Sequence, residues 1–516
     1  MANLTSIDGN WAGGCTLGGH WIYLKVRFAG AQGWGQGTFG TIWHWHEESE
    51  LEGLRWQLPL VQFRLTRWRQ TMSFEGRYDS TQITGRVTRG DDSASFRLVR
   101  VSDTDLNRTI AEVSGCYELE PGRFVSVGLL TEFVNSLAYT DWATGRVAQM
   151  YPSSQNSFFS GPGLQVPYPK DVEIAFSQGA DGRANELTWS EKGARSLKAR
   201  KVHFTQEEVR FASDDVTLSG TLTKPLGEGP HPAIVCVHGS GPQPRGGSWP
   251  LPDLFAYHGA AVLTYDKRGV GGSTGDWQQA SLDDLTRDAL AGVRLLKERP
   301  DIRPDRIGMF GISQAGWIEP WAAARSSDVA FIIVMSGSGT PGYLQDIYRQ
   351  TNWLRAFGVP EPDVIRVMNA WKLLYDYLLW GKSKDVLDAA VAELQKDPET
   401  EDMAPCDSNH IPPFMRKFGF EFDPTPVWEK VKCPVLLLYG ETDSVVDTAV
   451  SVPLISAALR RGGASDVTVK VFPNCGHMLW VVGKDELPGT PNSPGFAPNV
   501  GRTVAEWLEK HTGADH

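Results

Sequence analysis

Met309-Phe310-Gly311-Ile312-Ser313-Gln314-Ala315-Gly316-Trp317 is the stretch that decides how this chain folds. An apolar strand runs straight into a serine flanked by small residues, and a helical pattern follows. Such a strand–serine–helix junction is a nucleophile elbow. The serine occupies a sharp, strained turn, so its neighbours two positions away must be small. Gly311 and Ala315 meet that need, and Gly316 relieves crowding further. The turn lifts the hydroxyl above the sheet, and the N-terminus of the following helix favours developing negative charge. The strict Gly-x-Ser-x-Gly string fails here because Ala315 fills the last place. It matches instead at Gly271-Gly272-Ser273-Thr274-Gly275. That match is a decoy, because a polar loop (Asp266-Lys267-Arg268-Gly269-Val270) feeds Ser273 and the next clear helix begins near Leu282.

Working outward, unbroken apolar runs alternate with helical patterns from about residue 201. The buried-strand candidates are 233–237, 261–265, 306–310, 331–335, 435–439 and 467–471, preceded by strand-like runs at 202–211 and 216–223. Strands apolar throughout are buried on both faces, and helices between them imply a mostly parallel sheet with helices on both faces. The rhythm breaks at 343–426, a helical span rich in Trp, Leu and Tyr. It reads as a cap inserted over the C-terminal edge of the sheet, where open α/β sheets bind ligands. The catalytic domain is therefore expected at 201–342 and 427–516. A Pro- and Gly-rich stretch at 487–498 reads as a surface loop.

A neutral serine needs a general base, which is itself oriented by a third group. After a nucleophile elbow the acid and then the histidine follow in chain order. Only His477, His511 and His516 lie late enough, and the last two belong to the final helix and tail. His477 sits in Pro473-Asn474-Cys475-Gly476-His477, just past a strand end. Asp443 lies on the loop after the preceding strand, with Asp447 and Glu441 as alternatives. Asp447 also suits the start of the following helix. The tetrahedral intermediate needs two N–H donors. One is assigned to the backbone of Gln314. The other comes from His238-Gly239-Ser240-Gly241-Pro242 and is assigned to Ser240, with Gly239 as the alternative. His238 reads as structural.

These four stretches resemble one branch of the α/β-hydrolase superfamily. The residues that carry the resemblance are His238 to Pro242, Tyr265 to Ser273, Gly311 to Trp317, and Asn474-Cys475-Gly476-His477. That branch holds serine esterases and relatives of the serine aminopeptidase and prolyl oligopeptidase group, and the resemblance covers roughly residues 201–512. It implies the α/β-hydrolase fold and serine chemistry, and says little about substrate. Glu319 departs from the pattern, because relatives usually have a small apolar residue two positions after Trp317. Trp317 and Glu319 are taken as the substrate-binding candidates, Glu319 through a contact with cap or substrate.

Residues 1–200 alternate apolar and polar with period two and show no convincing amphipathic helix. They read as two β modules, 1–107 and 111–200, opened by Gly9-Asn10-Trp11 and Gly115-Cys116-Tyr117. The second resembles the small lipocalin-like modules appended to bacterial serine hydrolases. This half offers a surface for homo-oligomer formation, or for binding sugar, lipid or protein.

Composition narrows the rest. The chain has 516 residues and a formal net charge of −11, with no dense Lys/Arg tract, which argues against a nucleic-acid partner. Six scattered cysteines without a CxxC pair read as reduced thiols. No leader or bilayer-length apolar segment is evident, so the expectation is a cytoplasmic protein without a membrane partner. His44, His46 and Glu48 share one strand face but read as surface residues, and no metal or other cofactor is expected. The leading expectation is hydrolysis of a small-molecule carboxylic ester through an acyl-enzyme. The alternatives are a peptidase or amidase of the same fold, an acyltransferase or thioesterase, and a binding protein carrying a vestigial hydrolase.

Overall fold

The computed structural model describes residues 6–18, 20–29, 34–40, 48–67, 70–130, 136–356, 358–382, 384–482 and 495–513. Its contacts divide the chain into two compact units. One comprises Met1–His203 with Trp480–Arg502, the other Phe204–Leu479 with Thr503–His516. The catalytic domain expected to run unbroken to 516 is thus interrupted, since the described residues 480–482 and 495–502 group with the N-terminal unit; most of the loop expected at 487–498 lies outside the described residues. Phe496 stacks on Trp142 at 5.4 Å, and Gly495 bridges to Arg146.

The first unit holds two barrel-like antiparallel sheets. In each, the first strand pairs with the last: Gly9–Leu17 with Asp92–Val101, and Gly115–Glu120 with Leu197–Val202. The two edges of each sheet are successive strand segments separated by one residue, Leu51 in the first and Met150 in the second. The N–H of Leu51 donates to Gly35 O and that of Met150 to Leu137 O, both at 2.8 Å. Each interrupted strand therefore bonds a neighbour on both sides and the sheet closes on itself, which removes the exposed edge. The openings that looked alike in sequence do the same work. Gly9 and Gly115 both have positive φ, at 120° and 147°. Trp11 Nε1 donates to Ile7 O at 2.9 Å, and Tyr117 Oη to Val113 O at 2.6 Å, each four residues back. Inward-facing aromatics fill the first interior: Phe63 stacks on Phe74 at 4.6 Å, with Trp11, Phe28 and Phe96 around them.

One element contradicts the sequence reading. Leu106–Val113 is an α-helix joining the barrels, capped by Asp105, which accepts from Arg108 N at 3.1 Å. Leu106, Ile110 and Val113 provide a helical period, but over eight residues it is too short to stand out against strand alternation. The run expected at 202–211 is likewise split: Leu197–Val202 closes the second barrel and a new strand starts at Thr205.

The second unit is built on an eight-stranded mixed sheet. Its strands are β1 (Thr205–Ser213), β2 (Val216–Lys224), β3 (His231–Val237), β4 (Ala261–Tyr265), β5 (Ile302–Ile312), β6 (Phe331–Met335), β7 (Val435–Gly440) and β8 (Val467–Phe472). The spatial order is β1-β2-β4-β3-β5-β6-β7-β8. The β1–β2 and β2–β4 pairs are antiparallel, and all others are parallel. β6 and β7 are buried along their whole length, as their unbroken apolar sequences require. The helix Leu282–Lys297 starts at a reciprocal capping box between Ser281 and Asp284. Between β6 and β7 the chain inserts three longer helices, Gly342–Ala356, Glu361–Trp380 and Lys384–Gln395, then the short ones Pro413–Lys417 and Thr425–Trp428. Among the described residues no helix is long and apolar enough to cross a membrane.

The loop after β4 is held by charge. Arg268 donates through Nε and Nη2 to both oxygens of Asp288, at 2.8 and 2.7 Å, and both side chains are almost fully buried. Asp266 accepts from Arg245 and from the Gly272 N–H. Ser273, the serine of the Gly-x-Ser-x-Gly string, donates to Asp266 O at 2.6 Å and accepts from Ser219 N at 2.9 Å. Its hydroxyl serves the loop. Replacing Asp288 with Ala leaves the Arg268 guanidinium buried without its bidentate partner. The expected cost is about 3–5 kcal/mol, read as a lower urea midpoint in equilibrium unfolding.

Candidate active site

Ser313 stands between β5 and the helix Ala315–Arg325 with φ at 61°. That left-handed conformation is costly for a non-glycine residue and persists only where the surroundings enforce it. Here the Ser313 N–H donates to Met335 O at 2.9 Å, which pins the turn to the end of β6. A Cβ built on Gly311 would lie 2.2 Å from the Ala315 Cβ, 2.6 Å from Glu319 Oε1 and 2.9 Å from Val237 O. Only one of residues 311 and 315 can therefore carry a methyl group, which is why Ala315 is tolerated opposite Gly311. Gly316 has its own constraint, since a Cβ there would meet Gly337 Cα at 2.4 Å.

His477 follows β8 and is largely buried. Its Nδ1 donates to Asp443 Oδ2 at 2.8 Å. The other Asp443 oxygen accepts the N–H groups of Val445 and Val446 at 2.7 and 2.9 Å. One carboxylate oxygen is thereby held by backbone and the other is left for the imidazole. The two alternative acids are occupied elsewhere: Asp447 caps the helix Thr448–Gly462, and Glu441 accepts from Asn474 N. The Asp443 loop is also clasped by the first inserted helix. Tyr348 Oη, Asn352 Nδ2 and Gln345 Nε2 donate to the carbonyls of Asp443, Ser444 and Val445 respectively. The His477 carbonyl accepts from Ser336 Oγ at 2.7 Å. Residues 335 and 336 thus hold the backbone of Ser313 on one side and that of His477 on the other.

The loop after β3 discriminates between the two donor candidates. The Gly239 N–H already donates to Gln243 Oε1 at 2.7 Å. The N–H groups of Ser240 and Gln314 have no protein acceptor among the described residues. His238 is buried and donates Nε2–H to Tyr265 O at 2.5 Å; burial, with Lys267 nearby, pushes its pKa down to about 3, so the ring is neutral.

A cavity of about 420 Å³ opens at Ser313, Gln314 and Ser240. Trp317, Trp277, Phe414 and Phe418 supply apolar wall, and Asp346 and Arg349 of the first inserted helix a polar spot. Trp317, expected from sequence at a substrate site, lines this cavity. Glu319 is not, which corrects the expectation from sequence. It is fully buried beneath the elbow, off the cavity wall, and neither carboxyl oxygen has a hydrogen-bond partner among the described residues. The helix turns its face at 319 toward Gly311 and the sheet. Lys267, which the sequence reading left inside a polar loop, instead lines the cavity with only 2% of its surface exposed. Its signal was its place directly beyond the end of an apolar strand. Of the residues weighed as a metal site, His44 and His46 lie outside the described residues, and Glu48 faces Lys25 at 3.5 Å.

Residues 234–487 match the alpha/beta hydrolase family, and with the strand order above this part of the chain belongs to it. Esterase EstD of Thermotoga maritima is 25% identical over 283 residues, 52% of this chain and 60% of that protein. Thiohydrolase aneE of Aspergillus aculeatus is 32% identical over 131 residues, 25% of this chain and 41% of that protein. The chain thus spans 60% or less of the length of these curated relatives. A solved esterase from Pyrococcus furiosus aligns with 60% of this chain and 92% of its own, at 17% identity and a TM-score of 0.40.

Two outcomes follow from the packing under the elbow. Gly311→Ala should lose the folded elbow, since its methyl meets a backbone carbonyl and two side chains, whereas Ala315→Gly should fold with a loss of about 1 kcal/mol. Thermal unfolding of the two variants checks the asymmetry. Burial holds the Glu319 carboxyl protonated in the native state, well above its ordinary 4.5. The unfolded chain ionises it near that value, so unfolding releases a proton and native stability falls as pH rises above it. Glu319→Gln removes this component. The melting temperature of Glu319→Gln minus that of the parent should therefore grow as pH is raised above about 5, measured by calorimetry.

Proposed function

We propose that this chain is a serine hydrolase that cleaves carboxylic esters, with Ser313 as nucleophile, His477 as general base and Asp443 as the acid that orients it. The observation that carries the reading is the double anchorage at the end of β6. Met335 O holds the Ser313 turn, and Ser336 Oγ holds the carbonyl of the histidine whose ring bonds Asp443. One short strand end thereby anchors the backbone of both stretches.

The chemistry follows from those positions. Ser313 Oγ attacks the ester carbonyl while His477 takes its proton on Nε2. Asp443, already bonded at Nδ1, stabilises the resulting imidazolium. The carbonyl oxygen becomes an oxyanion that accepts from the Ser240 and Gln314 N–H groups. Collapse expels the alcohol, protonated by His477, and leaves an acyl-serine. Water then attacks with the roles reversed.

An ester is favoured over a peptide amine terminus by the cavity's anions. An exopeptidase needs a free carboxylate for the substrate ammonium. Glu319 is buried away from the cavity, and both Asp346 oxygens are engaged, Oδ1 by Arg349 and Oδ2 by Tyr375 Oη at 2.7 Å. The resemblance to a thiohydrolase keeps thioesters within the same chemistry. The filled barrel interior offers little support for a protein that only binds a ligand there.

A screen of p-nitrophenyl esters of rising acyl length, one acyl thioester and one aminoacyl anilide tests the reading. The apolar wall and modest cavity lead to the expectation of short and medium acyl esters cleaved well ahead of the anilide. Ser313→Ala should lose on the order of 10⁶ in kcat. Turnover that survives Ser313→Ala, or a preference for the anilide, would overturn the proposal.

A further inference from the structure

The loop Asp266-Lys267-Arg268 leaves one group that the mechanism above does not use. Lys267 is buried, and its ammonium donates to Gly239 O at 2.7 Å, to Gly241 O at 3.0 Å and to Gln314 Oε1 at 3.0 Å. An ammonium has three N–H bonds, and three acceptors are present. Burial works against the charge and pushes the pKa of this lysine down to about 7. A methionine or leucine would fill the same space without that penalty, so stability does not account for a cation here.

Its three partners sit at the two donors of the oxyanion site. The Gly239 carbonyl and the Ser240 N–H belong to one planar peptide and point in opposite directions. Fixing that carbonyl on Lys267 Nζ therefore fixes the direction of the Ser240 N–H. The Gly241 carbonyl anchors the other flank of the same residue. Gln314, bearer of the second donor N–H, is tied through its side chain to the same nitrogen. The Lys267 N–H also donates to Gln243 O at 3.1 Å, and Gln243 Oε1 takes the Gly239 N–H. The β3 loop and the residue after the nucleophile are thus strapped together through one lysine.

We propose that Lys267 is the positioning residue of the oxyanion site, holding the Ser240 and Gln314 N–H groups at the separation the tetrahedral intermediate requires. This rests on the ester-hydrolase reading of the same site. The Ser240 donor lies between two glycines, Gly239 and Gly241, and the alignment of the two donors matters only when the carbonyl oxygen becomes an anion. Loss of the strap should therefore be felt in the transition state and hardly at all in ground-state binding.

The test compares Lys267→Met, Lys267→Arg and Gln314→Leu with the parent enzyme on its best ester. Lys267→Met should lower kcat by about 10–100-fold, less than outright removal of a donor, with KM changed by less than about threefold. A trifluoromethyl ketone, which forms a charged tetrahedral adduct with the serine, should lose affinity in step with kcat/KM. The matching methyl ketone should not. Gln314→Leu combined with Lys267→Met should fall short of the product of the single effects, because both cut one strap. Melting temperatures at or above the parent's would separate positioning from unfolding. An unchanged kcat in folded Lys267→Met, or a loss confined to KM, would overturn the proposal while leaving the ester reading intact. A parent that cleaves no ester and forms no ketone adduct would remove both.

Discussion

The hydrogen bond from the Ser313 N–H to the Met335 carbonyl is the constraint on which the rest of the second unit turns. A serine in left-handed backbone is unstable by itself, so something rigid must hold it there. The rigid object is the parallel pair of β5 with the fully buried β6, whose register sets Ile312 beside Met335. Room for the turn then dictates its neighbours. Gly311 and Ala315 share one methyl's worth of space, and Gly316 lets the helix approach Gly337. The next residue along, Ser336, bonds the His477 carbonyl, so the same strand end sets the distance between two otherwise remote stretches of chain.

Around that centre the surrounding loops are immobilised by groups that are themselves buried and paired. Arg268 and Asp288 lock the loop after β4 to its helix, and Lys267 passes from that loop to the β3 loop. The first inserted helix reaches the Asp443 loop with three side chains while also lining the cavity through Asp346 and Arg349. A ligand that presses on this helix therefore presses on the loop that carries the carboxylate. The polar network costs desolvation, and its return is precise placement of backbone rather than net stability.

Much of this was legible in the chain itself. Apolar runs marked the six parallel-sheet strands, and the strand-to-helix context expected at Ser313, and not at Ser273, is the one the structure has. Chain order and loop position pointed to His477 and Asp443, whose side chains the structure joins at 2.8 Å. What escaped depended on direction rather than pattern. Glu319 lies six residues beyond the serine, and sequence does not reveal which face of a buried helix turns toward the sheet. Lys267 looked like one cation in a polar loop, because the carbonyls that receive it come from residues 239 and 241, far away in the chain. The paired Gly-x-Trp and Gly-x-Tyr openings announced two modules. The closure of each barrel through Leu51 and Met150 rests on backbone bonds that no side-chain pattern encodes. The eight-residue helix at Leu106–Val113 was too short for its period to register, and the Pro- and Gly-rich composition at 487–498 marked a loop without telling which unit the residues around it join.

The central claim, that Ser313 is a nucleophile activated by the His477–Asp443 pair, is tested most directly by mapping a fluorophosphonate adduct by peptide mass spectrometry. One equivalent on Ser313, formed quickly in the parent protein and very slowly after His477→Ala, is the predicted result. Folded protein that takes up no label, or label carried by Ser273, would contradict it.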